Sequence, residues 1–127
     1  QKEPDYPVTN MTGAGGITTT AYDLWLFNKG LLKGTLFPDP ILQAMYIPKA
    51  DYTDWGADYG YGWMIDKLQF AVSGKSKIIY HPGTDMGFYS MFAKKDDTES
   101  LVILLSNTGD FPRFDLTDLL LTALNDQ

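Results

Sequence analysis

Residues 77 to 92 read "KIIYHPGTDMGFYSMF", and the way this stretch divides decides the fold. An apolar run up to Tyr80 ends at His81, "HPGTDMG" (residues 81–87) turns the chain, and a second apolar run begins at once. Two such runs joined by a glycine-containing turn form an antiparallel hairpin. Downstream, "DDTE" (residues 96–99) is a tight polar turn and "SLVILLSN" (residues 100–107) runs back. That last strand is apolar on both faces, with Leu101, Ile103 and Leu105 on one side and Val102 and Leu104 on the other. Such a strand belongs inside a sheet with both faces covered. Upstream, "YGYGWMID" (residues 59–66) changes to a period of two and places Tyr59, Tyr61 and Trp63 on one face. That row is either packing beneath a neighbour or a sugar-stacking platform, and packing is the commoner use. Gly60 and Gly62 leave the opposite face bare, so another segment can approach the backbone there. About four strands in an antiparallel meander result.

Helical patterns flank the meander. Thr20 is placed to cap a helix, with Asp23 completing a box-like cap and Gly30 marking its stop. "FPDPILQAMYIPK" (residues 37–49) predicts a short helix capped by Asp39, with Pro40 in its first turn. Residues 49–58 read as a loop. At the end of the chain, Leu116, Leu119, Leu120, Ala123 and Leu124 form one apolar stripe on a helix whose positive N-terminus is favoured by Asp115 and Asp118. The fold class is therefore α+β: an antiparallel meander packed with N-terminal helices and a C-terminal helix.

Composition excludes several functions. The 127 residues fit one domain, and 44% hydrophobic content suffices for a core. A net charge of −6, with no basic cluster beyond Lys94-Lys95, argues against nucleic acid and against an anionic membrane surface. Without cysteine there is no disulfide and no thiolate metal site. The spacing of Asp51, Asp54 and Asp58 is not that of a calcium loop. Gly13, Gly15 and Gly16 lack the strand before and the Lys-Ser/Thr after that a phosphate loop needs, so they read as a turn. No cofactor and no metal is called for. The polar start "QKEPDYPVTN" reads as a connector, residues 1–12, from a region further upstream.

His81 is the one histidine. At a strand end it is positioned to donate a hydrogen bond or a proton near neutral pH, and the amides around Gly83 and Thr84 are potential anion donors. A nucleophile with its base is missing: no serine has a lysine three positions later, and none sits in Gly-x-Ser-x-Gly. On the residues alone, a structural role at a strand end outweighs catalysis.

Four stretches shift that balance. "GAGGITTTAYDLWLF" (13–27), "YGYGWMI" (59–65), "HPGTDMGF" (81–88) and "LVILLSNTGDFP" (101–112), with a final helix after them, together resemble the carboxyl-terminal part of the serine β-lactamase-like family, which includes class C β-lactamases, low-molecular-weight penicillin-binding proteins and esterases. The resemblance implies that residues 13–127 are the C-terminal part of a partial β-lactamase/transpeptidase-like domain. His81-Pro82-Gly83 would be the family's His-x-Gly element, while Ser-x-x-Lys and Tyr-x-Asn would lie in an upstream half. By the same resemblance His81, Gly83 and Thr84 are the catalytic positions: His81 polarises the serine-proton network, Gly83 lets the substrate pass close, and the Thr84 amide is one of two oxyanion donors. Pro82 and Asn107 would touch substrate. Histidine and proline in place of Lys-Thr hold a β-lactam carboxylate less well, which favours an ester, an amide or a D-amino-acid peptide such as that of peptidoglycan.

The implied partners are thus the N-terminal half of the same protein and a β-lactam, peptidoglycan-peptide or ester substrate. The chain alone should be inert. Residues 100–107, lacking a neighbouring strand from that half, should form an edge that a second copy covers in a homodimer or that the "QKEPDYPVTN" arm covers. The implied location is extracytoplasmic, periplasmic or at a bacterial cell surface. The alternative is a non-catalytic cell-wall-binding or protein-interaction module.

Overall fold

The computed structural model describes residues 11–67, 69–71, 76–85, 87–96 and 98–125; of the connector expected at 1–12, residues 1–10 fall outside that set. The Gly13–Gly16 stretch is a turn, as expected. The Ala14, Gly15 and Gly16 amides all point at the Met11 carbonyl, at 2.8, 3.0 and 3.2 Å.

Thr20 caps α1 (Ala21–Leu32): its hydroxyl accepts from the Asp23 amide at 3.1 Å and donates to the Asp23 carboxylate at 2.8 Å. The helix does not stop at Gly30. It continues to Leu32, and the left-handed residue is Gly34 at φ +66°. Gly30 instead makes room, because a Cβ there would press on Leu36 at 3.1 Å as the chain folds back. In α2 (Asp39–Met45), Asp39 is already helical and makes no capping bond; Pro38 precedes the helix.

The sheet has six strands rather than about four. They are β1 (Ala50–Tyr52), β2 (Ala57–Tyr59), β3 (Met64–Asp66), β4 (Ile78–Asp85), β5 (Phe88–Lys95) and β6 (Leu101–Ser106), all antiparallel and in chain order. The extra strands come from residues 49–58. This segment is rich in Asp, Ala and Gly, which disfavour strands, yet it folds back over a 3₁₀ turn at Thr53–Trp55 and left-handed Gly56 so that β1 and β2 pair. Lys67 joins this hairpin to β3 by ion pairs to Asp51 (3.1 Å) and Asp58 (2.8 Å).

The Tyr59, Tyr61, Trp63 row is not one face. The strand breaks at Gly60, Tyr61 is exposed, and Tyr59 and Trp63 join opposite cores. The glycines do admit a neighbour: a Cβ at Gly60 would overlap the Met45 carbonyl, where α2 ends, and the Tyr61 amide donates to that oxygen at 3.1 Å.

Two cores sandwich the sheet. On one face Ile79, Trp63 and Phe92 pack with Leu31 of α1 and with Leu42 and Tyr46 at α2, aided by Leu101 and Ile103. On the other, Met64, Ile78, Tyr80, Met91 and Val102 pack with Leu121 of α3 (Arg113–Asn125), aided by Phe114 and Leu104. The two faces of β6 are therefore divided as its sequence indicates; the strand lies at the sheet edge, the place the resemblance implies for residues 100–107, and not inside as its apolar faces alone suggest. The apolar stripe expected of α3 points away from the sheet. Leu116, Leu119, Leu120, Ala123 and Leu124 are exposed, Leu119 by 65%, while Thr117 and Leu121 are buried.

Lys94 is buried against Tyr46, donating to its hydroxyl at 3.3 Å with the ammonium 4.9 Å above the ring; burial lowers its pKa. Burial pushes the Tyr46 hydroxyl up to about 12, with the Asp96 carboxylate adding to the effect, and Tyr80 is raised by burial as well. Above pH 10 the unfolded chain releases these phenolic protons while the folded chain keeps them, so stability falls as pH rises through about 12. Urea midpoints between pH 9 and 12 should show this decline, and Tyr46→Phe should make it shallower. Gly60→Ala should cost on the order of 3 kcal/mol, because the approach of α2 leaves no room for a methyl group.

Candidate functional site

The site grows from a mismatch in strand length. β5 pairs with all of β4, from Ile78↔Lys95 to Asp85↔Phe88, whereas β3 reaches only Ile79 and Tyr80. From His81 onward β4 has a strand on one side only, among the described residues. A proline at 82 fits such a position because it has no N–H to offer a ladder. His81 is accordingly mid-strand and not a strand end, since β4 continues through Asp85.

Beside this open stretch lies a cleft of about 530 Å³. Its walls are Ala50, Tyr52, Trp55, Tyr59, Met64, His81, Pro82, Thr84 and Arg113. The aromatic side is continuous. Tyr52 stacks on Trp55 (6.0 Å between centroids, 3° between planes), Tyr59 meets Tyr52 edge-on at 6.1 Å, and His81 meets Tyr59 edge-on at 5.9 Å. His81 is tied at both nitrogens. Nδ1 lies 2.7 Å from the Pro82 carbonyl and Nε2 lies 3.0 Å from the Tyr59 hydroxyl. A carbonyl only accepts, so Nδ1 carries a proton, and in the uncharged ring Nε2 is left to accept from the Tyr59 hydroxyl.

Arg113, at the start of α3, reaches the same segment. Its Nη1 donates to the Gly83 carbonyl at 2.5 Å, and its guanidinium lies 5.1 Å from the Tyr89 ring centre and 5.5 Å from that of Phe114. Gly83 itself sits against its own fold: a Cβ there would overlap the Ser90 hydroxyl on β5. A substitution at Gly83 therefore meets Ser90 before it meets a ligand.

His81, Pro82 and Thr84 are thus brought together in one wall, and Gly83 lies between them. Asn107 is not part of it. It lines a second groove of about 640 Å³, bounded by Gly15–Thr19, Leu24, the Phe88–Phe92 end of β5 and Leu105–Asn107. Tyr52, Trp55 and Arg113 were not foreseen as site residues. The first two lie in the segment read as a loop, and Arg113 reaches Gly83 across 30 positions, a contact no local pattern signals. Arg113→Ala should loosen α3 from β4 and leave the Gly83 carbonyl without its charged donor. A loss of about 1.5 to 3 kcal/mol in urea unfolding is expected, and a loss below about 0.5 kcal/mol would deny the contact a structural role.

No family model and no curated protein matches the chain. Solved structures do. The D-amino acid amidase of Ochrobactrum anthropi SV3, complexed with D-phenylalanine, superposes with a TM-score of 0.68 at 18% identity, over 96% of this chain and 40% of that one. A D-stereospecific amidohydrolase from a Streptomyces species superposes with a TM-score of 0.59 at 25% identity, over 79% of this chain and 29% of that one. The chain therefore spans well under half the length of these enzymes, and its α+β fold is that of part of a D-amino acid amidase.

Proposed function

We propose that this chain forms one wall of the reaction cleft of a serine acyl-hydrolase, and that its substrate is a D-amino-acid amide or peptide, or a related ester. The observation that carries this reading is the open stretch of β4: His81, Pro82 and Thr84 line an apolar cleft in a fold similar to part of two D-amino-acid-directed amidohydrolases. Those neighbours fall in the superfamily of penicillin-binding proteins and β-lactamase-like serine hydrolases, which agrees with the resemblance in sequence.

In this reading the attacking serine and its lysine belong to an upstream half of the same protein. The Thr84 amide supplies one oxyanion donor, and the absent serine's amide supplies the other. Removing one such donor costs about 2.7 to 4 kcal/mol of barrier. Gly83 keeps the strand narrow where substrate passes, and His81 orders the polar network around the reacting oxygen. Asn107, in the second groove, would contact substrate only where that groove joins the completed cleft. A β-lactam remains a poorer substrate than an amide, for want of the lysine and hydroxyl that hold its carboxylate. The enzyme would act outside the bacterial cytoplasm, on peptidoglycan peptides or their fragments.

Two surfaces support a missing half. Among the described residues β6 has a neighbouring strand on one side only, and both it and the exposed leucines of α3 are apolar; each such leucine forgoes part of the about 1.5 to 3 kcal/mol that full burial gives. The same surfaces favour a second reading, an interaction module without chemistry that dimerises through residues 100–107.

Turnover of D-phenylalaninamide, p-nitrophenyl acetate and nitrocefin separates the two. The isolated chain should show none. The full protein, carrying an upstream Ser-x-x-Lys, should hydrolyse the amide or ester, and His81→Ala should lower kcat by about 100-fold or more. Turnover by the isolated chain that His81→Ala abolishes would refute the division of labour, and an upstream sequence without Ser-x-x-Lys would favour the interaction module.

A further inference from the structure

We propose that Tyr59 is a positioning residue for His81: its hydroxyl locks the ring as the Nδ1–H tautomer and holds Nε2 as a hydrogen-bond acceptor at the cleft wall. The role of this pair in a reaction rests on the acyl-hydrolase reading above, whereas the lock itself rests on geometry alone.

The two contacts have fixed sense. The Pro82 carbonyl, 2.7 Å from Nδ1, has no hydrogen to give, so Nδ1 donates. A neutral imidazole with its proton on Nδ1 has a lone pair on Nε2, and the Tyr59 hydroxyl, 3.0 Å away, is the group that donates to it. Tyr59 is held for this task from two sides. It is partly buried against the core beneath α3, and its ring meets Tyr52 at 72° between planes. It comes from β2, two strands away from β4, and reaches His81 because β3 stops pairing at Tyr80.

The lock has a chemical consequence. Both ring nitrogens are engaged, so neutral His81 does not stand in the cleft as a free base. A ligand group that takes Nε2 from Tyr59 must itself donate, as a hydroxyl, an amide N–H or an ammonium does. A carboxylate is refused there while the ring is uncharged.

The chain holds a single histidine, so its ring nitrogens give unambiguous NMR signals in the nitrogen-labelled protein. At a pH about two units above the ordinary imidazole value, the wild-type chain should show a protonated Nδ1 and an unprotonated, pyridine-type Nε2. Tyr59→Phe keeps the ring and removes only the hydroxyl. It should move the population toward the Nε2–H form, while Tyr61→Phe, an exposed neighbour, should change nothing. A wild-type ring protonated at Nε2 overturns the proposal even if the variant fails to fold, because Tyr59 would then be accepting. An unchanged tautomer in a folded Tyr59→Phe variant overturns it too, since the Pro82 carbonyl alone would be holding the ring. These signals report the ring and not turnover. A chain unrelated to acyl transfer would still show the lock, and a free ring would leave the acyl-hydrolase reading standing.

Discussion

The structure depends on β3 being shorter than β4. Three residues of β3 face eight of β4, and only Ile79 and Tyr80 are paired on that side. The cause is local and steric. Before Met64 the chain must pass Gly62 at φ +75° and Gly60 against the end of α2, so it cannot stay extended alongside β4. Beyond Tyr80, β4 is therefore fixed by β5 on one side and open on the other. A strand fixed along one edge is rigid, and its free edge is where backbone groups can meet a ligand. The cleft, the aromatic wall and the His81 contacts all occupy the space that a longer β3 would fill.

The second organising feature is the contrast between the two sides of the molecule. Around Ile78, Ile79 and Tyr80 both faces of the sheet are sealed, with no exposure at any of the three. Toward β6 and along the outer side of α3 the sealing stops. Leu105, Leu119 and Leu120 are exposed by 44, 65 and 41%. An apolar edge strand of this kind invites pairing with another chain. In the proposed reading, these are the surfaces that the rest of the protein would cover.

Much of this was legible in the sequence. The hairpin of β4 and β5, the meander order, the Thr20 cap and the two-faced character of β6 arise from periodicity and turn chemistry. Three features do not. β1 and β2 are each Ala-Asp-Tyr, in which Ala and Asp disfavour strands, so their strand state comes from pairing with each other and with β3. The period-two row of aromatics is interrupted at Gly60, and a pattern of side chains does not reveal a backbone contact with the end of α2. For α3 the rule that leucines face the core selects the wrong side, because the sheet is met by Phe114, Thr117 and Leu121, with the Thr117 hydroxyl satisfied by the Arg113 carbonyl at 2.7 Å. At the site, the His-Pro-Gly-Thr segment is visible as a motif, but its partners Tyr59 and Arg113 are distant in sequence and are brought to it by the fold.

The central claim is that β4 offers a prepared wall while the attacking oxygen comes from elsewhere. Five serines are present here, Ser73, Ser76, Ser90, Ser100 and Ser106, and Ser90 adjoins Gly83. Acylating the full protein with a slowly released β-lactam or an activated ester, and mapping the modified residue by mass spectrometry, separates the alternatives. The acyl group should be found on a serine of an upstream Ser-x-x-Lys, with all five serines of this chain unmodified. An acyl group on Ser90, or on any other serine of residues 1–127, would contradict the claim.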